Sequence, residues 1–194
     1  MASVIALNLS RVNEEKQRNR NFIAARAFLP EALSKLNTYF NDCVPLLNEL
    51  RNMLNTKDFV DTAPLQSNFP DLPESYRRVF KSCMSHAEDD AGNYMALILN
   101  HLQVNNSRLE NSFAVAQQNQ SSTILTKTNI ISHIYDLAEL KVLVDNFYNF
   151  ARGEEEFKEQ KVTLALINQV YHHLGFYVEL IDGLDEYTKI QINN

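Results

Sequence analysis

The chain has 194 residues, 45% of them hydrophobic and 22% charged, which is enough apolar material for one buried core and too much for a disordered segment. Four glycines, five prolines and no tryptophan supply too few turn residues for a protein of many short strands, so an all-helical fold is expected instead of a sandwich, barrel or doubly wound sheet. The formal charge of -6 argues against nucleic acid as a partner, because long-range attraction to polyphosphate is lacking.

All five prolines fall in the first 73 residues, and no linker, fixed-period repeat or low-complexity tract separates that part from residues 74–194. One helical domain over residues 1–194 is therefore expected. From about Val4 to Thr56 good helix formers predominate, and Pro30 and Pro45 are expected to kink this first stretch, since each removes a backbone donor and crowds the preceding turn. The apolar run Val4 to Leu7 is too short to span a bilayer or to form a signal-peptide core. Residues 57–72 hold Pro64 and Pro70 among polar residues, with Pro73 directly after, and read as an irregular connection.

Asp71, Leu72, Pro73 and Glu74 then predict an N-cap and acidic first turn for a helix through about Ala87. A break at Asp89 and Asp90 precedes a helix from about Ala91 to Gln117. Residues 117–128 are polar without glycine or proline and fit a loop or a frayed helix end equally. Ile130, His133, Leu137, Leu140, Val144, Phe147 and Ala151 recur at three-four spacing and predict one helix, with Gly153 as its left-handed C-cap. A last long helix is expected from Thr163 to about Asp182, ended by Gly183, with Ile167, Val170, Tyr171, Leu174, Tyr177, Val178 and Ile181 on its buried side. Packing these stripes together gives a single-domain all-α bundle of five or six helices.

Several chemistries lack the residues they need. No two glycines lie within six residues of each other, so neither a P-loop nor a dinucleotide fingerprint can be built, and there is no G-x-S-x-G or S-x-x-K. None of the five histidines has an acid three residues before it, which removes the di-iron bundle pattern. The reversed spacing occurs twice, in His86 with Asp89 and His133 with Asp136, and these four residues are the candidate metal ligands of a metal-dependent hydrolase. Against that reading, Asp89 is better placed as a helix cap, and His133 falls on an apolar stripe where a hydrogen-bonded core histidine is the ordinary explanation. No cofactor is implied. His172 and His173, adjacent and about 100° apart on a helix, do not aim at one ligand; His173 belongs at the edge of the buried side and His172 in solvent.

Cys43 and Cys83 lack paired metal or redox spacing and read as two packed thiols in a reducing, cytoplasmic setting. Arg11, Lys16, Arg18, Arg20 and Arg26, against Glu14 and Glu15, give the start of the chain a charge of +3, while Glu154, Glu155, Glu156 and Glu159 form an acidic cluster after Gly153. Contact between the first helix and the acidic turn, a partner surface, or two unrelated solvated faces each account for this pairing of signs. Eight aromatic residues crowd positions 147–187; Phe147, Phe150, Tyr171 and Tyr177 are the candidate lining of a ligand pocket, with an ordinary core as the alternative.

The segments RAFLPEALSKLNTYF at Arg26 to Phe40 and FYNFARGEEEF at Phe147 to Phe157 resemble stretches found in small bacterial helical proteins that often carry a single N-terminal membrane anchor. The resemblance implies a cytosolic helical domain at the inner face of the membrane, and it says nothing about activity, so no catalytic residue is carried over. This chain has no full-length anchor, so a membrane partner would be reached only through a segment absent from it. The expectation is a non-enzymatic helical interaction or scaffold module that binds a protein partner or itself, with a small-molecule-sensing bundle as the alternative.

Overall fold

The computed structural model describes residues 2–55, 65–117 and 125–193, with the backbone alone for residues 2–7 and 55. Every regular element among the described residues is helical: α1 (Ala2–Arg26), α2 (Leu29–Asn55), α3 (Ser75–Met84), α4 (Asp89–Gln117), α5 (Lys127–Asn146), α6 (Tyr148–Arg152), α7 (Leu164–Leu174), a 3-10 turn (Val178–Leu180) and α8 (Leu184–Asn193). With α1 and α2 taken as one stretch bent at Ala27 and Phe28, and α5 and α6 as one helix interrupted at Phe147, the bundle has six helices, within the number expected.

The seam of the bundle is visible in α2. Leu29, Leu33, Leu36, Phe40, Cys43, Leu47 and Leu50 alternate steps of four and three residues, which keeps them on one side of a helix, and all seven are fully buried. At about 1.5 to 3 kcal/mol for each buried aliphatic or phenyl side chain, this stripe is among the largest single contributions to docking α2. It packs on α5 and α3. Pro30 is the second residue of α2, where a missing N–H costs little, and the chain bends just ahead of it. At Pro45 the helix runs on to Asn55, although the carbonyl of Asn41 loses its usual donor.

α5 is the central element. It packs against α2, α4, α7 and α8, and from Ile130 to Ala138 every residue except Asp136 is buried. A helix covered on several sides needs apolar groups all round, so the stripe read from the sequence is only one of the faces it buries. Its start is fixed by a capping box: the Thr126 Oγ1 accepts from the Asn129 N–H while the Asn129 Oδ1 accepts from the Thr126 N–H. Phe147, fully buried, separates α5 from α6: its N–H bonds the Val144 carbonyl three residues back and its own carbonyl accepts from Ala151, so the single helix expected through Ala151 is interrupted by one turn residue. Gly153 caps α6 in the left-handed conformation, as its position predicted.

Three further boundaries differ from the expectation. α3 starts at Ser75, with Glu74 at the cap position making no side-chain bond, so Asp71 does not cap it. Asp89 and Asp90 lie inside the first turn of α4, where carboxylates complement the helix dipole, and do not precede it. α7 ends at Leu174 because Gly175 adopts a left-handed φ of 76°; the chain then passes through the 3-10 turn into α8, so no helix reaches Asp182. Tyr177, expected on a buried helical face, is 48% exposed, and His173 is exposed along with His172. Residues 65–74 carry no helix, in keeping with an irregular connection, and the rest of that connection up to Pro64 lies largely outside the described residues. So does most of 117–128.

Candidate functional site

Polar groups gather in two places. The first is the seam between α4 and α5, where small and charged residues interrupt the apolar packing. Ser112 Oγ lies 2.8 Å from His133 Nε2, both side chains being buried. Burial and the nearby Arg108 guanidinium push His133 down to a pKa of about 4, so the imidazole is neutral at physiological pH. One turn on, Arg108 donates to the Asp136 carboxylate at 2.6 Å and to Ser132 Oγ at 2.9 Å. Asp136 is nevertheless raised from its ordinary value, because desolvation outweighs the guanidinium. Further along the seam, Glu139 meets His101 Nδ1 at 3.4 Å and accepts from the Tyr135 hydroxyl at 3.1 Å, the first of these contacts holding His101 in its charged form to higher pH.

This seam accounts for two of the candidate metal ligands. His133 is engaged by Ser112, and Asp136 by Arg108 and Ser132. The other two are elsewhere: Asp89 is exposed in the first turn of α4, and His86 lies in the turn between α3 and α4. His86 and His133 line different cavities, and among the described residues no group of three or more histidines, cysteines and acids takes up a metal-binding arrangement. The candidate pocket aromatics also part company. Phe147 and Phe150 lie 5.0 Å apart and each meets Phe157 edge-on at 5.6 Å, Tyr171 is buried with its hydroxyl 2.8 Å from Thr188 Oγ1, and Tyr177 stands edge-on to His172 at 6.0 Å.

The second place is a groove of about 870 Å³ between α1, the turn into α4 and the segment after α6. Its floor is aromatic, with Phe22 packed on Phe150 at 5.9 Å and Phe157 beside them. Arg26 closes one end: its guanidinium lies 5.4 Å from the Phe22 ring and 5.6 Å from the Phe150 ring and presses against Gly153. A Cβ at Gly153 would come within 2.8 Å of that guanidinium, and the residue also needs its φ of 77°. Lys16 and Arg18 stand on the α1 wall, while Glu88, Asp90 and Glu154 to Glu156 stand opposite. The first helix and the acidic turn thus share one groove, one of the arrangements allowed by their opposite signs.

α1 walls this groove from Val12 to Arg26 and is otherwise attached to the body only toward its C-terminal end. Its packing is with α3 and α2 near its C-terminal end, and every residue from 8 to 20 is exposed, including Leu9 at 63% and Val12 at 47%. Nothing in the local sequence distinguishes these two from core residues; among the described residues, no facing stripe covers them. Similarly, the Arg108 to Asp136 and Ser112 to His133 pairs join residues 28 and 21 positions apart, a separation that helical periodicity does not report.

Among the described residues no helix is long and apolar enough to cross a membrane. No family model, curated protein or solved structure matches this chain.

Proposed function

We propose that this chain is a non-enzymatic helical interaction module that binds a protein partner through the projecting half of α1. The observation that carries the reading is the stretch from residue 8 to residue 20, which keeps helical form while every one of its side chains is exposed. Isolated helices of this length are marginal in water, and most helical stability in proteins comes from packing. Exposed Leu9 and Val12 give a partner apolar surface to cover, and Arg11, Lys16, Arg18 and Arg20 give it a charge pattern to recognise. The two free, buried thiols of Cys43 and Cys83 are consistent with a reducing compartment such as the cytoplasm.

The test is site-specific crosslinking inside the source cells. A photoreactive residue at Leu9 or Val12 should give a discrete adduct of higher mass, whereas the same residue at exposed Glu186 on α8 should not. Equal yields at all three positions, or none at Leu9 and Val12, would sink the reading.

A further inference from the structure

We propose that the groove beside α1 receives the projecting half of α1 from a second copy of the chain, so that two copies pair through antiparallel α1 helices. This rests on the reading of α1 as a binding element and names the partner. With five bases and two acids α1 carries +3, which leaves -9 for the remainder of a chain whose total is -6. Six carboxylates and three cations line the groove, so its own charge is also negative. A basic helix with exposed apolar residues is what such a groove attracts, and the chain supplies one in α1.

Symmetry follows from where α1 sits. α1 from Val12 to Arg26 forms one wall of the groove and residues 8–20 keep exposed faces, so a helix laid antiparallel along that wall belongs to a copy whose own groove faces the first copy's α1. The contact is isologous and closed, and leaves no arm over to propagate a chain of subunits. Val12 and Ile23, 47% and 52% exposed, both line this wall and would be covered by it. A helical surface about 20 Å long and 10 Å across presents on the order of 300 Å² on one side. Two reciprocal arms and the surfaces that receive them reach roughly 1,200 Å², the lower edge of stable specific interfaces.

Sedimentation equilibrium of the full purified chain between about 1 and 200 µM, in about 50 mM salt, provides the test. A dimer is expected that weakens at least about tenfold in about 0.5 M salt. Lys16→Glu with Arg18→Glu and Arg20→Glu should weaken it by a similar factor, as should Glu154→Lys with Glu155→Lys and Glu156→Lys. All six positions are exposed, so both variants should keep the unfolding midpoint of the parent. Combining the six substitutions restores the opposite signs and should bring the dissociation constant back to within about threefold of the parent. A monomer throughout the concentration range, a dimer indifferent to both sets, or a combined variant that stays monomeric would each overturn the pairing. A monomeric chain that still crosslinks through Leu9 in cells would leave the α1 reading standing with a different partner.

Discussion

His133 shows how one buried side chain ties stability to pH. Its pKa falls from 6.5 in the unfolded chain to about 4 in the fold, so below pH 6.5 the unfolded state takes up a proton that the native state refuses. Stability is lost as pH falls from about 6.5 to 4, by as much as about 3 kcal/mol at about 1.4 kcal/mol per unit. His101 works the other way, since its bond to Glu139 stabilises most below 6.5 and fades as pH rises through the elevated folded value. Urea unfolding at pH 7 and pH 4.5 should therefore show a loss that shrinks in His133→Gln, and an unchanged loss would mean the imidazole is solvated. The neighbouring pair is sensitive to truncation on one side only. Arg108→Ala leaves the half-buried Asp136 carboxylate without its cation and should cost about 2 to 3 kcal/mol. Asp136→Asn should cost less, and the double variant should fall well short of the sum in a denaturant cycle. Sequence reasoning identified His133 as a core histidine from its apolar stripe, whereas Arg108, Ser112 and Ser132 carry no local signature; only the α4 to α5 packing brings them together.

At the scale of the element, helix existence was legible and helix ends were less so. The Thr163 cap and the Gly153 cap follow from residue chemistry within one turn, whereas the first stretch reads only as good helix formers and its buried stripe comes from the packing. Phe147 illustrates the opposite case. It is apolar and correctly spaced for the α5 stripe, and where the break falls it is buried against Tyr94 and Phe157, contacts from distant parts of the chain that no local rule contains. Gly175 had the signal of a C-cap, but apolar residues beyond it kept the helical spacing going, and the backbone followed the glycine. The same physics gives two glycine substitutions opposite signs. Gly92 lies in the first turns of α4 with open space where a Cβ would go, so Gly92→Ala should stabilise by about 0.5 to 1 kcal/mol. Gly175 has equal room but a φ of 76°, so Gly175→Ala should destabilise by about 1 to 2 kcal/mol from backbone strain alone. Thermal or urea unfolding of the two variants checks both, and a shared sign would show that space, not backbone conformation, governs these sites.

Across the whole molecule the division is between a bundle centred on α5 and an α1 that belongs to it by one end. Arg26, wedged between Phe22 and Phe150 and against Gly153, is the fastening at that end, while the side chains of residues 8–20 stand exposed. Composition and periodicity established that a bundle forms; they did not show which stripe lacks a facing one, because that depends on the arrangement of all the others. Helix opening is cheap where tertiary contacts are few, so amide protection in α1 should rise along the helix, from little at residues 8–18 to substantial by residues 22–26, in the dilute monomeric protein. Removing residues 1–18 should accordingly shift the unfolding free energy by no more than about 0.5 kcal/mol, whereas Arg26→Ala should cost about 1 kcal/mol through lost ring contacts. Hydrogen exchange read residue by residue at about 1 µM, together with urea unfolding of both variants, measures each quantity. Protection at residues 8–18 matching that of α5, or a truncation as costly as a core substitution, would mean that the free half of α1 is held by the body after all. If instead the gradient is found and flattens as concentration rises, the missing contacts are being supplied by another molecule of the same chain.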